Sequence, residues 1–119
     1  MALVNPAHLV RATKHSLAGL AVAWKQEQAF RHEVLLFPVI ALLLLIFKPG
    51  LVWSVVLVCG WLLVLVIELL NSAIEQVCNR VSPEFHILIK HSKDMASAAI
   101  FVTLCLNALL WLAMLWQWW

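Results

Sequence analysis

The 119-residue chain is 65% hydrophobic, with a mean hydropathy of +0.97 and a formal net charge of +2. A soluble domain of this length cannot bury so much apolar surface, so the chain reads as an integral membrane protein. The small charge, with no run of Lys or Arg able to track phosphates, argues against nucleic acid. The three glycines, Gly19, Gly50 and Gly60, stand too far apart for a Gly-rich phosphate loop.

In chain order, residues 8–25 sort into two sectors at 100° per residue. Leu9, Val10, Thr13, Leu17, Leu20 and Trp24 fill one, and Arg11, Lys14, His15 and Lys25 the other. With no soluble domain to pack against, this pattern predicts an amphipathic helix lying on the membrane surface. No cleavable signal peptide is visible upstream, so the N-terminus is expected to stay in the mature chain. The apolar run 34–47 is only fourteen residues, short of the roughly 20 a bilayer needs. The first span is therefore expected over 29–47, with Arg31, His32 and Glu33 at head-group level. "KPG" at 48–50 ends it. A second span covers 51–75, its uncharged part ending at Ile67 and a polar extension running through Glu75. Residues 79–92 are expected to form a polar connection, and 95–119 the third span. Cys59, Cys78 and Cys105 form no C-x-x-C pair and read as small core residues.

Three crossings place Arg11, Lys14, Lys25, Arg31, Arg80, Lys90 and Lys93 on one side and Lys48 alone on the other. The asymmetry puts the N-terminus in the cytoplasm and the terminal "LWQWW" at the outer interface.

The six carboxylates, Glu27, Glu33, Glu68, Glu75, Glu84 and Asp94, all fall on or just inside the cytoplasmic side. On a helix, Glu68, Asn71, Ser72 and Glu75 form one polar stripe about 10.5 Å long. A charge at membrane depth costs on the order of 2.5 to 3.5 kcal/mol, so Glu68 should be partnered, protonated or both, which suits a general base. Glu75, nearer water, can stay ionised and bind a hard cation. The same stripe also fits an interhelical polar clamp. Lys93 could complement phosphate, and Asp94 could cap the third helix or assist a metal; an interface-anchoring Lys and an N-cap Asp fit equally well.

"ELLNSAIEQVCNR", "SPEFH" and "KDMASAA", with "GLAVAWKQEQAFRHE" upstream, resemble the prokaryotic diacylglycerol kinase family over nearly the whole chain. The resemblance implies an all-α membrane enzyme with a surface helix and three transmembrane helices, assembled as a homotrimer in the bacterial inner membrane. It implies Glu68 as catalytic base, supported by Asn71, and Glu27 and Glu75 as ligands of ATP-bound magnesium. Glu84, Phe85, His86, Lys93 and Asp94 match the nucleotide-contacting segment. Trp24, the stretch Ala29, Phe30, Arg31, His32 and Glu33, and Ser97 match positions near the lipid substrate. Two departures stand out: His8 and His15 occupy positions where the family commonly has Arg and Tyr, and Asn79 replaces a frequent Asp. The expected activity is ATP-dependent phosphorylation of diacylglycerol to phosphatidic acid, "KDMASAA" looking more like that branch than the undecaprenol branch. Undecaprenol kinase, or a proton or cation pathway subunit with intramembrane carboxylates, are the alternatives.

Overall fold

Asn5 is extended and its Oδ1 accepts the Ala7 N–H at 3.0 Å, while Pro6 at the first helical position gives up no donor that the helix needs. So begins α1, Pro6–Gln26, in a computed structural model that describes residues 5–81 and 84–118. Ser82 and Pro83 of the "SPEFH" motif, and Trp119 of the expected outer anchor, lie outside the described residues.

The first span is not one uninterrupted helix. It comprises α2, Gln28–Leu35, and α3, Phe37–Phe47, joined at Leu36. Pro38 is the reason: it has no N–H to offer the preceding turn and crowds the backbone before it. The helical ladder resumes with Ile40 N–H on the Leu36 carbonyl at 3.0 Å. Together the two segments make a 20-residue run, Gln28–Phe47, long and apolar enough to cross a membrane. Lys48 ends it in the left-handed region at φ 49°, and Pro49 cannot continue the helix. Gly50, at φ 99°, completes the turn and its carbonyl receives both the N–H and the hydroxyl of Ser54.

The next helix, α4, is Leu51–Val81, six residues longer than the expected 51–75, and α5 is Ile87–Trp118, starting eight residues before the expected 95. Most of the expected polar connection 79–92 is therefore helix. Its residues are mostly competent helix formers, so polarity there marks where the helices enter water rather than where they stop. At 1.5 Å per residue α4 is about 46 Å long against a hydrocarbon core of roughly 30 Å, so part of it must project. A second correction follows. Asp94 is not the cap of the third helix; it sits two turns inside α5, and His86 is the cap, its Nδ1 accepting the Leu88 N–H at 3.1 Å.

The interior of the chain runs along α4 and α5, with the polar end of α4 turned toward α2 and α1. Leu57, Gly60, Val64, Glu68 and Ser72 of α4 are buried at steps of three and four residues; Ala96, Thr103, Asn107 and Met114 of α5 at steps of seven and four. Small and polar residues let the two backbones approach where the surroundings are as apolar as the side chains. At its tightest point Asn107 Nδ2 donates to the Gly60 carbonyl at 2.9 Å, and a Cβ on Gly60 would stand 2.9 Å from Asn107 Oδ1. Only Cys78 of the three cysteines is a core residue. Cys59 and Cys105 face outward, which a lipid-facing surface tolerates without penalty.

At the opposite end from Glu75, Trp118 Nε1 donates to the Phe47 carbonyl at 2.6 Å and its ring meets Phe47 edge-on at 5.3 Å. This closes the end of α3 against the end of α5.

Candidate active site

The site grows from the inner half of α4. Glu68 is buried at 6% exposure, so water reaches little of its carboxyl. Its neighbours are the carboxyl of Glu33, across on α2, and the side chain of Asn71, one turn along α4. Trp61, two turns before Glu68, donates its indole N–H to the Glu33 carbonyl at 2.7 Å and so pins α2 against α4. Glu33 Oε2 is itself buried, and no donor among the described residues reaches it. The charges of Glu27 and Glu75 are also close enough to act on Glu68. Two carboxyls of α4, Glu33 of α2 and Glu27 of the α1–α2 elbow thus lie within electrostatic reach of one another through Glu68, and among the described residues none forms an ion pair with Lys or Arg.

Toward the Val81 end of α4, Asn71 and Glu75 of α4 and Lys93, Asp94, Ala96 and Ser97 of α5 line a polar cavity of about 300 Å³. An adjoining cavity of about 320 Å³ shares Lys93 and Asp94 and adds Glu84, Phe85 and His86. The continuity of α5 makes this possible. Lys93 and Ser97 are one turn apart and therefore share a face. Lys93 Nζ donates to Asn79 Oδ1 at 2.6 Å, a neutral acceptor that leaves the ammonium charge uncancelled. Asp94 is held by Lys90 at 2.6 Å, so its carboxylate is already paired.

Glu27 is the single residue between α1 and α2, extended at φ −110°, ψ 105°. It borders a cleft of about 550 Å³ between α1 and α4, together with Ser16, Ser72 and Gln76. Glu27 and Glu75 therefore open onto different sides of α4, with Glu68 within electrostatic reach of both.

Of the positions matched to the lipid substrate, Ser97 lines the Glu75 cavity and Glu33 meets Glu68. Trp24 is exposed at the end of α1, Ala29 and His32 are exposed, and Phe30 is buried at 5% exposure. Arg31 turns its guanidinium back onto α1. Phe85 stands 81% exposed at the rim. Trp61, Lys90 and the Gln26–Gln76 amide pair at 3.3 Å are site residues that sequence reasoning passed over, and Asn79, noted there only as a departure from Asp, accepts from Lys93. Two carried a signal: Trp61 lies seven residues before Glu68, and Lys90 four before Asp94.

A family model described as prokaryotic diacylglycerol kinase matches residues 14–115. A diacylglycerol kinase of Haemophilus influenzae is 39% identical over 104 residues, spanning 87% of this chain and 88% of the relative. One of Pseudomonas aeruginosa is 41% identical over 107 residues (90% and 87%), and one of Escherichia coli K12 is 39% identical over 112 (92% and 89%).

Proposed function

The chain belongs to the prokaryotic diacylglycerol kinase family, and from that premise we propose that it transfers the γ-phosphoryl group of ATP to the free hydroxyl of diacylglycerol, yielding phosphatidic acid and ADP. It is an enzyme, a lipid kinase, and the proton or cation pathway reading falls away.

In the proposed reaction the acceptor oxygen attacks phosphorus in line as the bond from phosphorus to the β,γ-bridging oxygen breaks. Glu68 takes the hydroxyl proton. One observation carries this reading: a carboxyl 6% exposed in a membrane-length helix, seven residues from a Glu that lines a cavity with a lysine. A lipid hydroxyl approaches from the hydrocarbon side and nucleotide from the water side, meeting along one helical stripe. Asn71 orients the base. Lys93, aimed by Asn79, faces phosphate charge. His86, Glu84, Phe85 and Asp94 border the nucleotide; Trp24, Ala29, Phe30, His32, Glu33 and Ser97 border the acceptor, while Arg31 is turned back onto α1.

Glu27 and Glu75 each offer magnesium a hard oxygen donor without a Lys or Arg partner among the described residues, on two different sides of α4. Among those residues no three His, Cys, Asp or Glu side chains gather to hold an ion alone, so the set suits an ion arriving with ATP and keeping water. When bound, magnesium neutralises charge on the phosphates.

The enzyme is proposed to be a homotrimer of the inner membrane, N-terminus in the cytoplasm, with α1 lying at the interface. The uncovered apolar residues of α1, Leu9, Val10, Leu17 and Leu20, support that placement. The deciding assay offers ATP with diacylglycerol or undecaprenol to purified protein in mixed micelles. Labelling of diacylglycerol is expected; preferential labelling of undecaprenol would reassign the acceptor, and labelling of neither would overturn the reading.

A further inference from the structure

Helix α1 ends without a polar cap of the usual kind. Its last carbonyls need donors, and they lie at the negative end of the helix dipole. The Glu27 N–H takes the Ala23 carbonyl at 2.8 Å, and of the three carbonyls beyond it those of Trp24 and Lys25 come next. Arg31, one turn into α2, supplies both: its Nη1 donates to the Trp24 carbonyl at 2.7 Å and the Lys25 carbonyl at 3.1 Å. Its own backbone N–H meets the Glu27 carbonyl at 3.2 Å. Three hydrogen bonds from one residue thus close the elbow between α1 and α2, and the only residue inside that elbow is Glu27. The guanidinium makes no ion pair with the Glu27 carboxylate, which opens instead onto the cleft with Ser72 and Gln76.

We propose that Arg31 is a positioning residue for Glu27: by capping the end of α1 from α2 it sets the direction in which the Glu27 carboxylate meets ATP-bound metal. The inference rests on the metal role proposed above for Glu27. A guanidinium suits the task because it bridges two carbonyls from one planar group, where a lysine offers a single, more mobile point.

The test measures binding of Mn²⁺–ATP to the full-length protein in micelles by electron paramagnetic resonance, with no lipid acceptor, and separately the KM for diacylglycerol. Arg31→Met is expected to weaken Mn²⁺–ATP binding roughly tenfold, a loss of about 1.4 kcal/mol, while the lipid KM moves less than about twofold. Arg31→Lys should recover part of the affinity, and it replaces Arg31→Met throughout if that variant fails to insert. Glu27→Gln should weaken binding comparably, and the double variant no further than Glu27→Gln alone, since both changes remove one contact. Additive losses, or a raised lipid KM with unchanged Mn²⁺–ATP affinity, overturn the inference while leaving the Glu27 assignment intact. Unchanged Mn²⁺–ATP affinity in Glu27→Gln overturns the assignment and the inference together.

Discussion

Glu68 and Glu75 lie two turns apart on α4, one buried beside Glu33 and Asn71, the other at the wall of a polar cavity with Lys93. Their substitutions should therefore fail differently. Glu68→Gln keeps the size and much of the hydrogen bonding but cannot accept a proton, so turnover should fall about 10²- to 10⁴-fold with ATP–magnesium binding retained. Removing a buried carboxyl that faces Glu33 should also leave thermal stability equal or higher. Near-normal turnover in a folded Glu68→Gln protein would return this residue to the role of interhelical clamp. Glu75→Gln should instead weaken magnesium-dependent nucleotide binding, and titration with ATP at several magnesium concentrations checks it. An unchanged metal requirement there would remove Glu75 from the ligand set.

At the scale of elements, the α4–α5 seam holds the stripe and the Lys93 face in register, so changes far from the site should loosen it. Asn107→Ala removes the bond to the Gly60 carbonyl and should cost about 0.6 to 1.7 kcal/mol in a membrane setting. Gly60→Ala puts a methyl 2.9 Å from Asn107 Oδ1 and from Leu110 Cδ1, overpacking that should cost about 1 to 3 kcal/mol. Unfolding in mixed micelles measures both. The combination Gly60→Ala with Asn107→Ala should be less damaging than the sum of the two, because shortening Asn107 vacates part of the space the new methyl enters. Strict additivity would mean that the helices separate elsewhere.

For the whole molecule, seven Lys and Arg on one side of the three spans against Lys48 on the other should hold the N-terminus in the cytoplasm and the C-terminus outside. Reporter fusions at both ends decide it. A cytoplasmic reporter at the C-terminus would break the three-span topology, and with it the common cytoplasmic site for Glu75, Lys93 and Asp94.

Membrane class, the number of long apolar helices and the Glu68–Glu75 stripe were legible in the sequence, because hydropathy and a 3.6-residue period are properties of the chain read locally. Even so, local reading mistook polar helix ends for a loop, put Asp94 at a cap and overlooked the break that Pro38 imposes. Only tertiary structure decided which groups meet: Glu33 with Glu68, Trp61 with the Glu33 carbonyl, Lys93 with Asn79, Asn107 with Gly60, and Arg31 with the end of α1. Each of these contacts depends on how one helix is rotated and shifted against another or on how the chain bends at an elbow. That geometry comes from the packing of many side chains together, which no single segment encodes.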